Sequence, residues 1–238
     1  SDMLSLSDRS EMKYPHQIIL ETARQGQSIP ERHRERFAKQ LQEYMFRIGA
    51  PYTACFCEDA DLLSQWRAYG AAGDGYAIAF SVSWLCSLGD LGFRLQRVIY
   101  EQAQQQDLVL MFLDTVNQIL SRHNLTADEE EKLWSLSAAM LSSWVVMFKD
   151  PAFKTEQEWR ITSELERRSA SLNAHFRPAG RRIVPYVEVP LNDSSITGVV
   201  RGPLFQGAEK RGLSLMLANA GFFNAAYRIE DSKIPLHA

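Results

Sequence analysis

Most signatures of a known chemistry are missing from this chain. Only three cysteines occur in 238 residues, Cys55, Cys57 and Cys86. An odd, sparse set is no disulfide framework and fits a reducing compartment. No Cys/His cluster at zinc spacing accompanies them, so no metal site is expected. Nothing in the spacing of His16, His33, His123 or His175 singles out a partner for a cysteine nucleophile, and the thiols read as small buried hydrophobes. The glycines of "GAAGDG" (70–75) follow a helical pattern rather than a strand, which excludes a dinucleotide fingerprint. There is no Gly-x-Ser-x-Gly elbow. The longest apolar run, "LSSWVVMF" (141–148), is broken by serines and too short for a membrane span, and no signal peptide is recognisable. A cytoplasmic, non-membrane protein is expected. A net charge of -3 excludes a broad nucleic-acid or membrane footprint, though not a local basic groove.

What is there suffices for a core: 45% of residues are hydrophobic and 23% charged. Residues 30–48 open with Pro30 and carry Phe37, Leu41, Tyr44, Met45 and Ile48 on one helical stripe, ended by Gly49 and Pro51. "YTACFC" (52–57) reads as a buried strand. A helix over "DLLSQWRAYG", capped by Asp59 or Asp61, runs to Gly70. Strands follow over 76–81 and 93–100. Helices are expected over 106–122 and from Thr126 to Met147, the second opened by a Thr126/Glu129 capping box. Further strands are expected over 182–191 and 195–203, then a helix near 207–220 and a last strand over 223–229. Pro185 argues for an edge or a bulge. Strands and helices mix without βαβ alternation, which favours α+β over a doubly wound sheet. The expected architecture is one domain over 1–238 with a mixed, curved sheet and a helical hairpin inserted at 106–147.

Two stretches carry candidate chemistry. In "FKTEQEWRIT" (153–162), Glu156, Glu158 and Arg160 stand at alternate positions, so a strand would put them on one face and Trp159 and Ile161 on the other, buried one. Two carboxylates sharing a face push one pKa upward, and Arg160 would offset part of the repulsion. The ordinary alternative is a structural Glu–Arg network. In the strand–helix–strand unit 54–81, Trp66 and Tyr69 lie three apart on one helical face, either as a core stripe or as a platform for a planar ring.

The blocks "LSDRSEM" (6–12), "CFCEDADLLSQWRAYG…GYAIAFS" (55–81), "VIYE" (98–101), "FKDPAFKTEQEWRIT" (148–162), "VVRGP" (199–203) and "SKIPLH" (232–237) resemble, in order, those of the uncharacterised bacterial and phage family known as domain-of-unknown-function family 2971. In that family the first block usually reads Asn-Asp-Pro-x-Glu, and here Ser7, Asp8 and Glu11 stand there. The last block usually ends in an aromatic and Arg, where this chain has Leu236 and His237. The resemblance also implies a leading Tyr/His-rich strand that is not in this sequence.

A second, weaker resemblance is to ADP-ribosyltransferase-like folds, which carry Glu-x-Glu on a late strand. It implies an enzyme that uses NAD, with Glu158 stabilising the oxocarbenium-like transition state and Glu156 assisting an acceptor of unknown kind. Arg160 would bind pyrophosphate, with Trp66 and Tyr69 nearby and Asp8 and Glu11 as further contributors. On that reading Glu158→Gln abolishes turnover and leaves the fold intact. The rivals are a non-catalytic ligand- or partner-binding module on the same scaffold, and a nuclease holding Mg²⁺ through Asp8, Glu11, Glu156 and Glu158.

Overall fold

The computed structural model describes residues 10–47, 51–163, 174–205 and 209–235. Its elements in chain order are helices α1 (Ser10–Gln25) and α2 (Glu31–Arg47), strand β1 (Thr53–Cys57), helix α3 (Leu63–Tyr69), strand β2 (Tyr76–Phe80), helix α4 (Val82–Ser87) and strand β3 (Phe93–Arg97). The long helices α5 (Gln102–Arg122) and α6 (Ala127–Ser143) come next, followed by strands β4 (Glu158–Ser163), β5 (His175–Ala179), β6 (Arg182–Tyr186) and β7 (Ile196–Arg201). Helices α7 (Glu209–Asn219) and α8 (Phe223–Ala226) and strand β8 (Ile229–Asp231) close it. The class is α+β.

Helical periodicity builds the main core. Ile18, Ile19 and Ala23 on α1 and Phe37, Leu41 and Met45 on α2 are buried, as their i, i+4 spacing dictates. They pack with Val109, Leu113 and Val116 of α5 and Trp134, Ala138 and Leu141 of α6 into one cluster. The α5–α6 hairpin is therefore half of the principal core, although it lies between β3 and β4, which pair directly. Thr126 and Glu129 cap each other's backbone at the start of α6, the reciprocal bonds of a capping box. Gln105 is fully buried, and its amide donates to Ile99 O (2.6 Å) and Lys149 O (2.9 Å) while its oxygen accepts from Tyr14 Oη (2.9 Å). One side chain thus ties α1 and α5 to the segments that flank the sheet.

The expected single curved sheet is instead three separate ones: β1-β4-β3, β2-β7-β8 and the β5-β6 hairpin, with β7–β8 the only parallel pair of named strands among the described residues. β4 is the central strand of the first sheet, antiparallel to both neighbours. β1 is an edge, and Ala54 and Cys55 are exposed where a buried strand was expected. Residues 223–226 form a helical turn rather than a strand, with Ala225 and Ala226 buried against β7. Pro185 does sit on a two-stranded hairpin, where its missing N–H is tolerated.

A glycine turn leads from α3 into the second sheet. Gly202 N donates to Gly75 O (2.8 Å) and Leu204 N to Gly73 O (2.9 Å), so the chain leaving β7 lies directly on the turn between α3 and β2. A Cβ on Gly202 would sit 2.3 Å from Gly73 O. Gly202→Ala is expected to destabilise by roughly 1–3 kcal/mol in urea unfolding, because backbone must move. Gly212→Ala, where nothing lies within 4 Å, is the control and should be neutral or stabilising.

Candidate functional site

The approach to β4 is set by its own short residues. Asp150 accepts from Ala152 N and Pro151 opens a 3-10 turn that runs to Glu156. Gln157 then takes a left-handed φ of 46° and turns the chain into β4. Glu156 therefore stands before the strand, not on it, and the expected run of three alternating residues is cut to two. Its carboxylate nonetheless returns to the same place, accepting from Lys149 Nζ at 2.5 Å.

Glu158 and Arg160 do share a face of β4, and both are buried, Arg160 completely. Arg160 Nε donates to Glu158 Oε1 (2.7 Å) and Nη2 to Oε2 (3.0 Å), a bidentate pair. Lys149 Nζ donates to the same Oε2 at 2.9 Å. Arg160 Nη1 donates to Val146 O (3.1 Å), inside the helical core, and Tyr100 Oη accepts from Glu158 N (2.9 Å). Burial alone would raise the Glu158 pKa, but Arg160, Cys55 and Lys149 hold it down at about 2. Burial pushes the Tyr100 hydroxyl up to about 12. Glu158 is thus a carboxylate held ionised at neutral pH, with both oxygens engaged.

The register places the cleft on the other side of the sheet. Phe56 pairs with Trp159, and Ile161 lies between Ala54 and Leu95, while Cys55 and Cys57 oppose Arg160 and Glu158. A cavity of about 690 Å³ opens on the Phe56–Trp159 side, bordered also by Tyr69, Tyr76, Phe80 and Leu95. This size is ordinary for a small-molecule site. Phe56 and Phe80 meet edge to face, with centroids 5.4 Å apart, where the two sheets join. Cys55 and Cys57 border the cavity from the edge strand, but their thiols donate to the Glu158 carboxylate and to Glu156 O.

Trp66 and Tyr69 both reach this cleft from α3, in different states: Trp66 is buried at 3% exposure and Tyr69 is 70% exposed. Asp61 does not cap α3. The N-cap is Leu62, and Asp61 Oδ1 instead accepts from Trp66 Nε1 (2.8 Å) and Ser232 Oγ (2.5 Å), while Oδ2 accepts from Lys233 N (2.7 Å). Two blocks far apart in sequence are tied at that carboxylate, and the Trp66 ring is fixed by it.

The sequence-expected site residues therefore fall into two groups on opposite faces of β4. Glu156, Glu158 and Arg160 belong to the ion cluster with Lys149, which sequence reasoning missed although Lys149 lies in the same "FKDPAFKTEQEWRIT" block. Trp66 and Tyr69 belong to the cleft, together with Trp159, which had been assigned to the core. Asp8 lies outside the described residues, and for Glu11 only its place in α1 is described. Among the described residues no three His, Cys, Asp or Glu side chains converge as a metal-ligand set; Glu156 and Glu158 converge on an ammonium instead.

Fold and site together define an α+β protein with an aromatic cleft between two small sheets and a buried ion cluster behind it. Residues 65–161 match the family model of the proteins of unknown function DUF2971, the family that the sequence blocks resemble. The match runs from α3 to β4 and includes Trp66, Lys149, Glu158 and Arg160. No curated protein and no solved structure matches the chain. No helix among the described residues is long and apolar enough to cross a membrane.

The ion cluster predicts a specific acid sensitivity. The folded-state pKa of Glu158 is depressed to about 2 from 4.5, so its contribution is complete above pH 4.5 and is lost as pH falls toward 2. The shift corresponds to roughly 3 kcal/mol. Glu158→Gln should remove that acid-labile component, seen as a flatter stability profile between pH 5 and pH 3 in denaturant titrations (circular dichroism). At neutral pH it should cost about 3–5 kcal/mol by leaving Arg160 and Lys149 underpaired, contrary to the expectation of an intact fold.

Proposed function

We propose that the protein is a small-molecule-binding module whose receptor site is the cleft between the two sheets. One observation carries this reading: the cavity of about 690 Å³ is lined by Phe56, Tyr69, Tyr76, Phe80 and Trp159, so aromatic side chains surround a space of ligand size. Trp66, held by Asp61, and Trp159, whose Nε1 donates to Glu58 Oε1 (2.7 Å), are preset in orientation. A site whose walls are already ordered binds without first having to organise itself.

The NAD-cleaving reading asks for a carboxylate turned toward the reacting sugar. Glu158 gives its oxygens to Arg160 and Lys149, Glu156 meets Lys149, and Arg160 has its guanidinium against Glu158 and Val146 O rather than toward a pyrophosphate. The Mg²⁺-nuclease reading meets the same obstacle at the same two carboxylates. The binding module needs neither group and is the reading preferred here.

The test is direct because two tryptophans line the cleft. Titration with planar heteroaromatic compounds should quench intrinsic fluorescence saturably in the wild type and not in Trp159→Ala. Met111→Ala, on an exposed face of α5, should leave the titration unchanged. Incubation with NAD should leave the dinucleotide intact. Release of nicotinamide, abolished by Glu158→Gln in protein shown to be folded, would restore the enzyme reading.

A further inference from the structure

We infer that the cleft is built for an organic cation, a flat nitrogen base carrying positive charge, rather than for a phosphate-bearing nucleotide. This rests on the reading of the cleft as a ligand site and adds the charge of what enters it. Glu58 and Asp59 line the cavity, and no lysine, arginine or histidine does so among the described residues. The aromatic rings that line it add to that preference, since an aromatic quadrupole attracts a cation over the ring.

Arg97 Nε lies 3.0 Å from Glu58 Oε1, so that pair is neutral overall and Glu58 serves to orient the Trp159 ring. Arg160 and Lys149 lie across the sheet, paired with Glu158. Asp59 remains as the lining charge without an ion-pair partner among the described residues; its Oδ1 accepts Asp61 N at 2.9 Å, which keeps the carboxylate at the rim. An anion entering this space would give up water, meet no positive side chain on the lining, and approach a carboxylate. A cation would meet aromatic rings and Asp59.

Three probes that share one ring separate charge from shape: 1-methylnicotinamide, methylated on the ring nitrogen, is a cation, nicotinamide is neutral and nicotinate is an anion. Affinities from fluorescence quenching, checked by calorimetry, should fall in that order, the cation binding at least about threefold tighter than the neutral ring. Asp59→Asn keeps an acceptor for Asp61 N, and it should shrink the affinity ratio of the cation over nicotinamide. Equal or tighter binding of nicotinamide or nicotinate overturns the cation assignment and leaves the ligand site standing. Absence of saturable binding by all three overturns both.

Discussion

A bidentate ion pair between two residues of one strand, Arg160 and Glu158, sits at 0% and 5% exposure, and most of the described structure is arranged around that fact. A buried guanidinium without its carboxylate would carry an uncompensated charge into the core, a penalty of several kcal/mol. The pair must therefore form, and β4 must present that face to the helical layer. Lys149 joins it, which fixes the exit of the chain from the α5–α6 hairpin, and Tyr100 and Val146 satisfy the remaining polar groups. Gln105, holding Ile99 O and Lys149 O, keeps the two flanking segments in position.

With the polar face of β4 so committed, the apolar face is the one left for other work. It presents Trp159 beside Phe56 and Ile161 beside Leu95, and Phe80 of the second sheet packs against it together with Trp84 and Leu85 of α4. The space that remains is the cleft. Asp61 holds its far side, since Trp66, Ser232 and the Lys233 amide all converge on one carboxylate. Such convergence explains why blocks separated by more than 150 residues in the chain act as one structural unit, with |i−j| of 171 for the Asp61–Ser232 bond.

Much of this was readable from the chain. The stripe on α2, the Thr126 capping box, the strands at 76–81 and 195–203 and the α+β class all follow from periodicity and caps. The alternation in "EWRIT" was also readable, but its meaning was not. In a central strand covered on both sides, period two separates two faces without saying which one borders open space. The aromatic residue, assigned inward by its apolarity, borders the cleft, and the charged pair lies under the helices. Gln157 at positive φ has no side-chain signature, so Glu156 was placed on the strand. Pro15 argues locally against a helix, yet Ile18, Ile19, Thr22 and Ala23 form a buried stripe on α1. Asp61 reads as a cap in sequence, because its partners at 66, 232 and 233 are tertiary.

The two faces of β4 are distinguished most directly by nuclear magnetic resonance of the ¹⁵N-labelled protein titrated with 1-methylnicotinamide, following the tryptophan indole and arginine Nε–H signals together. A structural ion cluster behind a ligand cleft predicts that the Trp159 and Trp66 indole signals shift with saturation while the Arg160 Nε–H signal stays in place. An Arg160 signal that moves on titration while the two indoles stay fixed would contradict it, and would put the site back at Glu158.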